Sequence, residues 1–124
     1  MLRVLIVEDN RKFREIFRDQ LHKYFPSIVI EEAENGEEAW QKMDGTPPHL
    51  IFMDIRLPGL NGLQLTRKIK TDFPNIHIAI LTSYDHPEYR QAAFQYGADH
   101  FFVKGSLAWD EVEAFFKSVL PDMS

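Results

Sequence analysis

Short apolar runs alternate along the chain with longer segments in which apolar residues recur every three or four positions. The runs are Val4 to Val7, Ile28 to Ile30, Leu50 to Met53, Ile76 to Leu81 and Phe101 to Val103. Unbroken runs of this length mark strands buried on both faces, because a half-buried strand would alternate apolar with polar. The segments between them read as helices. In the first, Phe13, Ile16, Phe17, Leu21 and Tyr24 fall on one face, with Arg11, Arg14, Arg18 and His22 on the other. A second, shorter helix follows Asn35-Gly36 and carries Ala39, Trp40 and Met43 before the break at Gly45-Thr46-Pro47-Pro48. The third starts near Asn61, whose side chain can cap the free N–H groups of a first turn, and finishes before Pro74. Pro87 suits the first turn of a fourth helix through Tyr89, Ala92, Ala93 and Tyr96, which Gly97 ends in a left-handed cap. The last helix is expected from about Ser106 to Leu120. Strict alternation of strand and helix implies right-handed crossovers, and so a parallel sheet with helices on both faces, a doubly wound α/β fold.

At 124 residues the chain is long enough for one sizeable core and short for two, so a single domain is expected over 1–124. No apolar run approaches the roughly 20 residues of a membrane helix. The first residues lack the basic, apolar and small-residue layout of a signal peptide, so the expected location is cytoplasmic. The absence of cysteine removes disulfides, thiol catalysis and Cys-ligated zinc. A net charge of −5 argues against general affinity for nucleic acid backbones. The five histidines have no metal-ligand spacing.

In an open parallel sheet the functional groups lie beyond the carboxyl ends of the strands. Here the first run ends in Glu8-Asp9, the third in Asp54, the fourth in Thr82-Ser83 and the fifth in Lys104. Two carboxylates about 4 Å apart repel by roughly 4 kcal/mol at an effective dielectric near 20, so gathering three of them requires cations. Lys104 supplies one charge, and an oxygen-only acidic set suits Mg²⁺ or Mn²⁺. The outline is that of a phosphoryl-transfer site. Asp54 would be the nucleophile, Lys104 and the metal would offset phosphoryl charge, and Thr82 would hydrogen-bond a phosphoryl oxygen. Singly, each residue has a plainer reading: Glu8-Asp9 as acids at a helix start, Asp54 as a turn residue, Thr82-Ser83 as a cap, Lys104 as a solvated lysine. Their joint placement at successive strand ends outweighs the four plain readings together.

Taken in order, Val4-Leu5-Ile6-Val7-Glu8-Asp9, Met53-Asp54-Ile55-Arg56-Leu57-Pro58-Gly59-Leu60-Asn61-Gly62, Leu81-Thr82-Ser83 and Val103-Lys104 resemble the receiver signature of two-component response regulators. The resemblance covers essentially the whole chain. It implies a flavodoxin-like five-stranded sheet in the order 2-1-3-4-5 with five flanking helices. It also implies a phosphoacceptor switch rather than an enzyme, loaded on Asp54 by a sensor histidine kinase or phosphotransfer protein, with intrinsic Mg²⁺-dependent autophosphorylation and autodephosphorylation. By the same resemblance the metal ligands are Asp9, Asp54 and the backbone carbonyl of Arg56, with Glu8 acting through water. Thr82 and Lys104 would contact the phosphoryl group. Thr82 and Phe101 match the family's switch pair, which remodels the face of the fourth helix, fifth strand and fifth helix; by composition alone Phe101 reads first as an ordinary core aromatic, and both roles are compatible.

One departure from the pattern is Gly105 after Lys104, where many receivers have proline. The Lys104-Gly105-Ser106 run looks like receivers joined to helix-turn-helix DNA-binding outputs of the nitrate-response-regulator kind. DNA would then be reached only through an output domain outside this chain, and a piece of a longer regulator is expected over a stand-alone one. Arg56 and Tyr84 are expected over the mouth of the pocket, where they would slow self-dephosphorylation. Arg11, Arg14 and Arg18 read as a solvated basic face that borders the acidic pocket and could dock the kinase. Trp109, Phe115, Phe116 and Val119 form a broad apolar face that either finishes the core or serves a homodimer or output contact. Among rivals, a haloacid-dehalogenase-type phosphatase needs a second acid where Arg56 stands. A flavodoxin or dinucleotide site needs a Gly- or Ser-rich loop where Glu8-Asp9-Asn10-Arg11 stands. The remaining alternative is a phosphate-independent pseudo-receiver, a binding module that keeps the fold.

Overall fold

The computed structural model describes residues 2–119; Leu120, the tail 121–124 and the side chain of Val119 lie outside the described residues. The strands are β1 (Arg3–Val7), β2 (Val29–Ala33), β3 (Leu50–Met53), β4 (His77–Thr82) and β5 (His100–Val103). The helices are α1 (Arg11–Tyr24), α2 (Gly36–Gln41), α3 (Gly62–Asp72), α4 (Pro87–Gln95) and α5 (Trp109–Val119), with a 3-10 turn over Lys104–Ser106. All neighbouring strands pair in parallel, in the order β2-β1-β3-β4-β5. The expected doubly wound sheet is therefore the observed one.

The two-residue period of a strand divides β1 between two cores. Leu5 and Val7 join Ile51, Met53, Ile78 and Ile80 against Leu65 and Ile69 of α3 and Ala93 of α4. Val4 and Ile6 join Phe52, Ala79, Leu81 and Phe102 against Phe17 and Leu21 of α1 and Val112, Phe115 and Phe116 of α5. Three helices open on an asparagine whose side-chain oxygen accepts a first-turn N–H: Asn10 from Phe13 (3.0 Å), Asn35 from Glu38 (2.8 Å) and Asn61 from Gln64 (2.9 Å). Pro87 occupies the first turn of α4, and Gly97 beyond its end adopts φ 103°, the left-handed conformation that glycine tolerates best. Among the described residues no helix is long and apolar enough to cross a membrane.

The structure moves several expected boundaries. The second strand lies over Val29–Ala33 rather than Ile28 to Ile30, because as an edge strand it pairs on one side only and tolerates Glu31 and Glu32. Ile28 is buried just before it. The fourth strand starts one residue later than its apolar run, at His77. α2 stops at Gln41, so Met43 is buried from the turn that follows rather than from the helix. The last helix starts at Trp109, three residues past the expected Ser106, because the chain first winds the 3-10 turn. Phe115 and Phe116 are buried, and Trp109 stacks on Phe17 (5.5 Å) and Tyr24 (4.8 Å), so the broad apolar face of α5 completes the core. On α1, Ile16 and Tyr24 are each 50% exposed although they share the apolar stripe.

Candidate functional site

β1 delivers Glu8 and Asp9 to the carboxyl edge of the sheet. The Glu8 N–H donates to the Ala33 carbonyl (2.9 Å), which extends the β1–β2 pairing by one residue and turns the side chain inward. Glu8 is 2% exposed; Oε2 accepts from the Asn10 N–H (2.9 Å) and Oε1 accepts from Lys104 Nζ. Asp9 is exposed beside it. β3 delivers Asp54, whose N–H donates to the Val7 carbonyl (3.1 Å). Its Oδ1 accepts from the Ile55 N–H (2.8 Å), and its Oδ2 lies 3.2 Å from Lys104 Nζ.

Lys104, entering the 3-10 turn after β5, thus spans two acids from two different strands. Its Nζ also sits 4.4 Å over the Phe13 ring of α1. Burial alone would lower the Lys104 pKa, but hydrogen bonding and charge from Glu8 and Asp54 outweigh it and hold the ammonium form. Glu8 goes the other way. Burial, reinforced by the Asp54 charge, pushes its carboxyl up to about 7 despite the hydrogen bonds from Lys104 and Asn10. One carboxylate oxygen from each of Glu8, Asp9 and Asp54 lies within 4.8 Å of the others. That donor set, oxygen only, with two acids buried and one open to solvent, fits a hard divalent cation that keeps part of its water shell.

The other expected site residues divide. Thr82 is fully buried at the end of β4 and its Oγ1 accepts from the Tyr84 N–H (3.3 Å), whereas Ser83 points to solvent. Phe101 is 3% exposed and packs in the core, with the Arg90 guanidinium 4.6 Å above its ring. Arg56 and Tyr84 do meet, with the guanidinium 4.3 Å over the ring. A groove of about 730 Å³ runs along β5 and α5, bounded by Arg90, Phe101, Ser106 and Phe115, away from the acid cluster.

Two features were not legible as parts of the site. Arg14 is not on a solvated face: it is 7% exposed, its Nη1 donates to the Glu8 carbonyl (2.7 Å), and its Nε donates to Glu32 (2.9 Å). Arg18 also pairs with Glu32 (3.0 Å) and Arg11 with Glu15 (3.1 Å), so the basic face is largely neutralised by its own acids. Burial would raise the Glu32 pKa, but the two arginines outweigh it and hold the carboxyl below its ordinary range. The second feature is Gly62, where a Cβ would stand 1.8 Å from the Asp54 carbonyl oxygen.

Known proteins resemble the chain in sequence and in fold. The response regulator receiver domain profile matches residues 4–113. The chain is 33% identical over 119 residues to the response regulator protein VraR of Staphylococcus saprophyticus, covering 94% of this chain and 56% of that protein. The response regulator TrrA from Thermotoga maritima, solved in complex with Mg²⁺-BeF, is 32% identical with a TM-score of 0.83, covering 97% of this chain and 100% of that one. A DNA-binding response regulator of the LuxR family from Staphylococcus aureus is 25% identical with a TM-score of 0.83, covering 96% and 98%. The chain spans about half the length of VraR and of similar curated regulators, at 56% and 54%.

Proposed function

This chain belongs to the response regulator receiver domain family of two-component systems, and on that premise we propose that it is a switch set by Mg²⁺-dependent phosphorylation of Asp54. The observation that carries the proposal is Lys104 bridging Glu8 and Asp54 where Asp9 adds a third carboxylate. A lysine held as a cation between two acids, next to an oxygen-only cation site, is what an incoming phosphoryl group of high negative charge requires.

In this reading an Asp54 carboxylate oxygen forms the new bond to phosphorus while the bond from phosphorus to the donor breaks. The donor is a histidine nitrogen of a sensor kinase or phosphotransfer protein, or the carboxyl oxygen of acetyl phosphate. The Ile55 N–H on Oδ1 holds the plane of the nucleophile, and Lys104 shifts from sharing Asp54 to balancing a phosphoryl oxygen. Asp9, Asp54 and the Arg56 backbone carbonyl would hold Mg²⁺ or Mn²⁺, with Glu8 through water. When bound, the ion supplies charge neutralisation at the transferring group. The Thr82 hydroxyl, which among the described residues is engaged by the Tyr84 N–H alone, would donate to a phosphoryl oxygen. Its movement would be coupled to Phe101 and thereby to α4, β5 and α5. That face is the proposed output surface and, in a homodimer, the proposed contact. The LuxR-family relative supports DNA binding through a helix-turn-helix domain outside these 124 residues as the output.

The test is binding of fluoroberyllate, a phosphoryl mimic, followed by ¹⁹F NMR. A bound resonance that needs Mg²⁺ and is lost in Asp54→Asn is expected. No bound resonance in the wild type would contradict the proposal and favour a module that works without phosphate.

A further inference from the structure

Arg14 carries a role that its neighbours on α1 do not. It is the one arginine among the buried residues, and its guanidinium fork is shared between two strands. Nη1 donates to the backbone carbonyl of Glu8 at 2.7 Å, the first residue past β1. Nε donates to Glu32 at 2.9 Å, and Nη2 lies 3.5 Å from Glu34, both at the carboxyl end of β2. Glu32 is held in turn by Arg18 at 3.0 Å. The β1–α1 turn carrying Glu8 and Asp9 is therefore anchored from behind by a side chain that the acids of β2 hold in place.

We propose that Arg14 is a positioning residue for the cation site, setting the Glu8-Asp9 turn through its hydrogen bond to the Glu8 carbonyl. The inference rests on the reading of Glu8, Asp9 and Asp54 as a Mg²⁺ site. The fork explains why arginine is needed: one planar group reaches a carbonyl and a carboxylate in fixed directions, which a lysine ammonium cannot reproduce at both. Charge and geometry act with opposite signs here. A positive group behind the acids repels a cation, so if Arg14 acted through charge alone, its removal would tighten Mg²⁺ binding. If it acts by holding the turn, removal weakens binding, as loss of groups that orient metal ligands generally does.

The test is calorimetric titration of Mg²⁺ into wild type, Arg14→Gln, Arg14→Lys and Glu32→Asp, alongside thermal melting in EDTA. Expected is an increase in the Mg²⁺ dissociation constant of about 10-fold for Arg14→Gln, with Arg14→Lys closer to it than to wild type. Glu32→Asp, which keeps the negative charge but withdraws the carboxylate from the arginine, should weaken binding by a smaller factor. The Mg²⁺ concentration giving half the maximal rate with acetyl phosphate should rise in parallel, with the plateau rate nearly kept. Tighter or unchanged binding in Arg14→Gln, whatever its melting temperature, overturns the proposal. Should both Arg14 variants fail to fold, unchanged binding in Glu32→Asp, whose charge is that of wild type, overturns it and weaker binding supports it. No Mg²⁺ binding by the wild type would instead remove the cation site itself, and the role of Arg14 with it.

Discussion

Substituting Gly62 by alanine should damage the fold and the site together, because this glycine marks the closest approach of the β3–α3 connection to the acceptor strand. A Cβ there would meet the Asp54 carbonyl oxygen at 1.8 Å, its carbonyl carbon at 2.8 Å and the Ile55 Cα at 3.0 Å. Carbon and carbonyl oxygen rest no closer than about 3.3 Å, so the start of α3 and the Asp54 peptide must separate by about 1.5 Å. All three atoms are backbone, so no side chain can rotate away. The separation also strains the hydrogen bond from the Gly62 N–H to the Ile55 carbonyl, now 2.8 Å. A backbone clash this deep belongs at the upper end of the roughly 1–3 kcal/mol that overpacking typically costs, and alanine recovers about 0.5–1 kcal/mol of helix propensity, so a net loss of about 2 kcal/mol is expected. For a domain of this size that lowers the melting temperature by roughly 8 °C. Urea denaturation would measure it, and the rate of phosphorylation by acetyl phosphate should fall as well because the displaced peptide is that of the acceptor. Wild-type stability in Gly62→Ala would refute the reasoning.

Four further outcomes follow from the site. Proton and metal compete for Glu8, whose carboxyl is raised to about 7, so Mg²⁺ affinity should fall as pH drops from 8 to 6, with proton release on binding measured by calorimetry in buffers of different ionisation heat. The same shift predicts that metal-free protein binds more protons folded than unfolded between pH 4.5 and about 7, so stability in EDTA falls as pH rises through that window; the opposite slope assigned to Glu8 would contradict this. Lys104→Met leaves two buried acids without their cation and should cost about 3 kcal/mol in EDTA by urea denaturation, partly recovered by Mg²⁺; unchanged stability would show that Lys104 does not hold them. Tyr84→Ala removes the ring under Arg56, a contact worth about 0.5–1 kcal/mol, and should shorten the aspartyl phosphate lifetime by about 2- to 5-fold when decay is followed by mass; an unchanged lifetime would exclude shielding by this pair.

Much of the fold is written in local patterns. The apolar runs of the inner strands β1, β3 and β4 match their strands closely because burial on both faces leaves an unbroken apolar signature, while β2, an edge strand with Glu31 and Glu32, keeps only Val29 and Ile30 of its run. Asn61, Pro87 and Gly97 announced their helix ends because capping and left-handed backbone depend on residue type alone. The acids and Lys104 were legible because strand ends share one edge. Arg14 was not, because its partners Glu8, Glu32 and Glu34 lie across the sheet, and helical periodicity sorts arginine to solvent whatever faces it. Gly62 was visible as a residue but its role was not: the need for a missing Cβ arises only when the turn after β3 folds back on Asp54. Ile16 and Tyr24 show the converse, apolar positions that the stripe placed inside and the sheet leaves half uncovered.

The account stands on Asp54 as the acceptor, and intact mass after incubation with acetyl phosphate tests that most directly. A single phosphoryl adduct that requires Mg²⁺ and is absent from Asp54→Asn is predicted. An adduct of equal yield in Asp54→Asn, or none in the wild type with Mg²⁺ present, would contradict it.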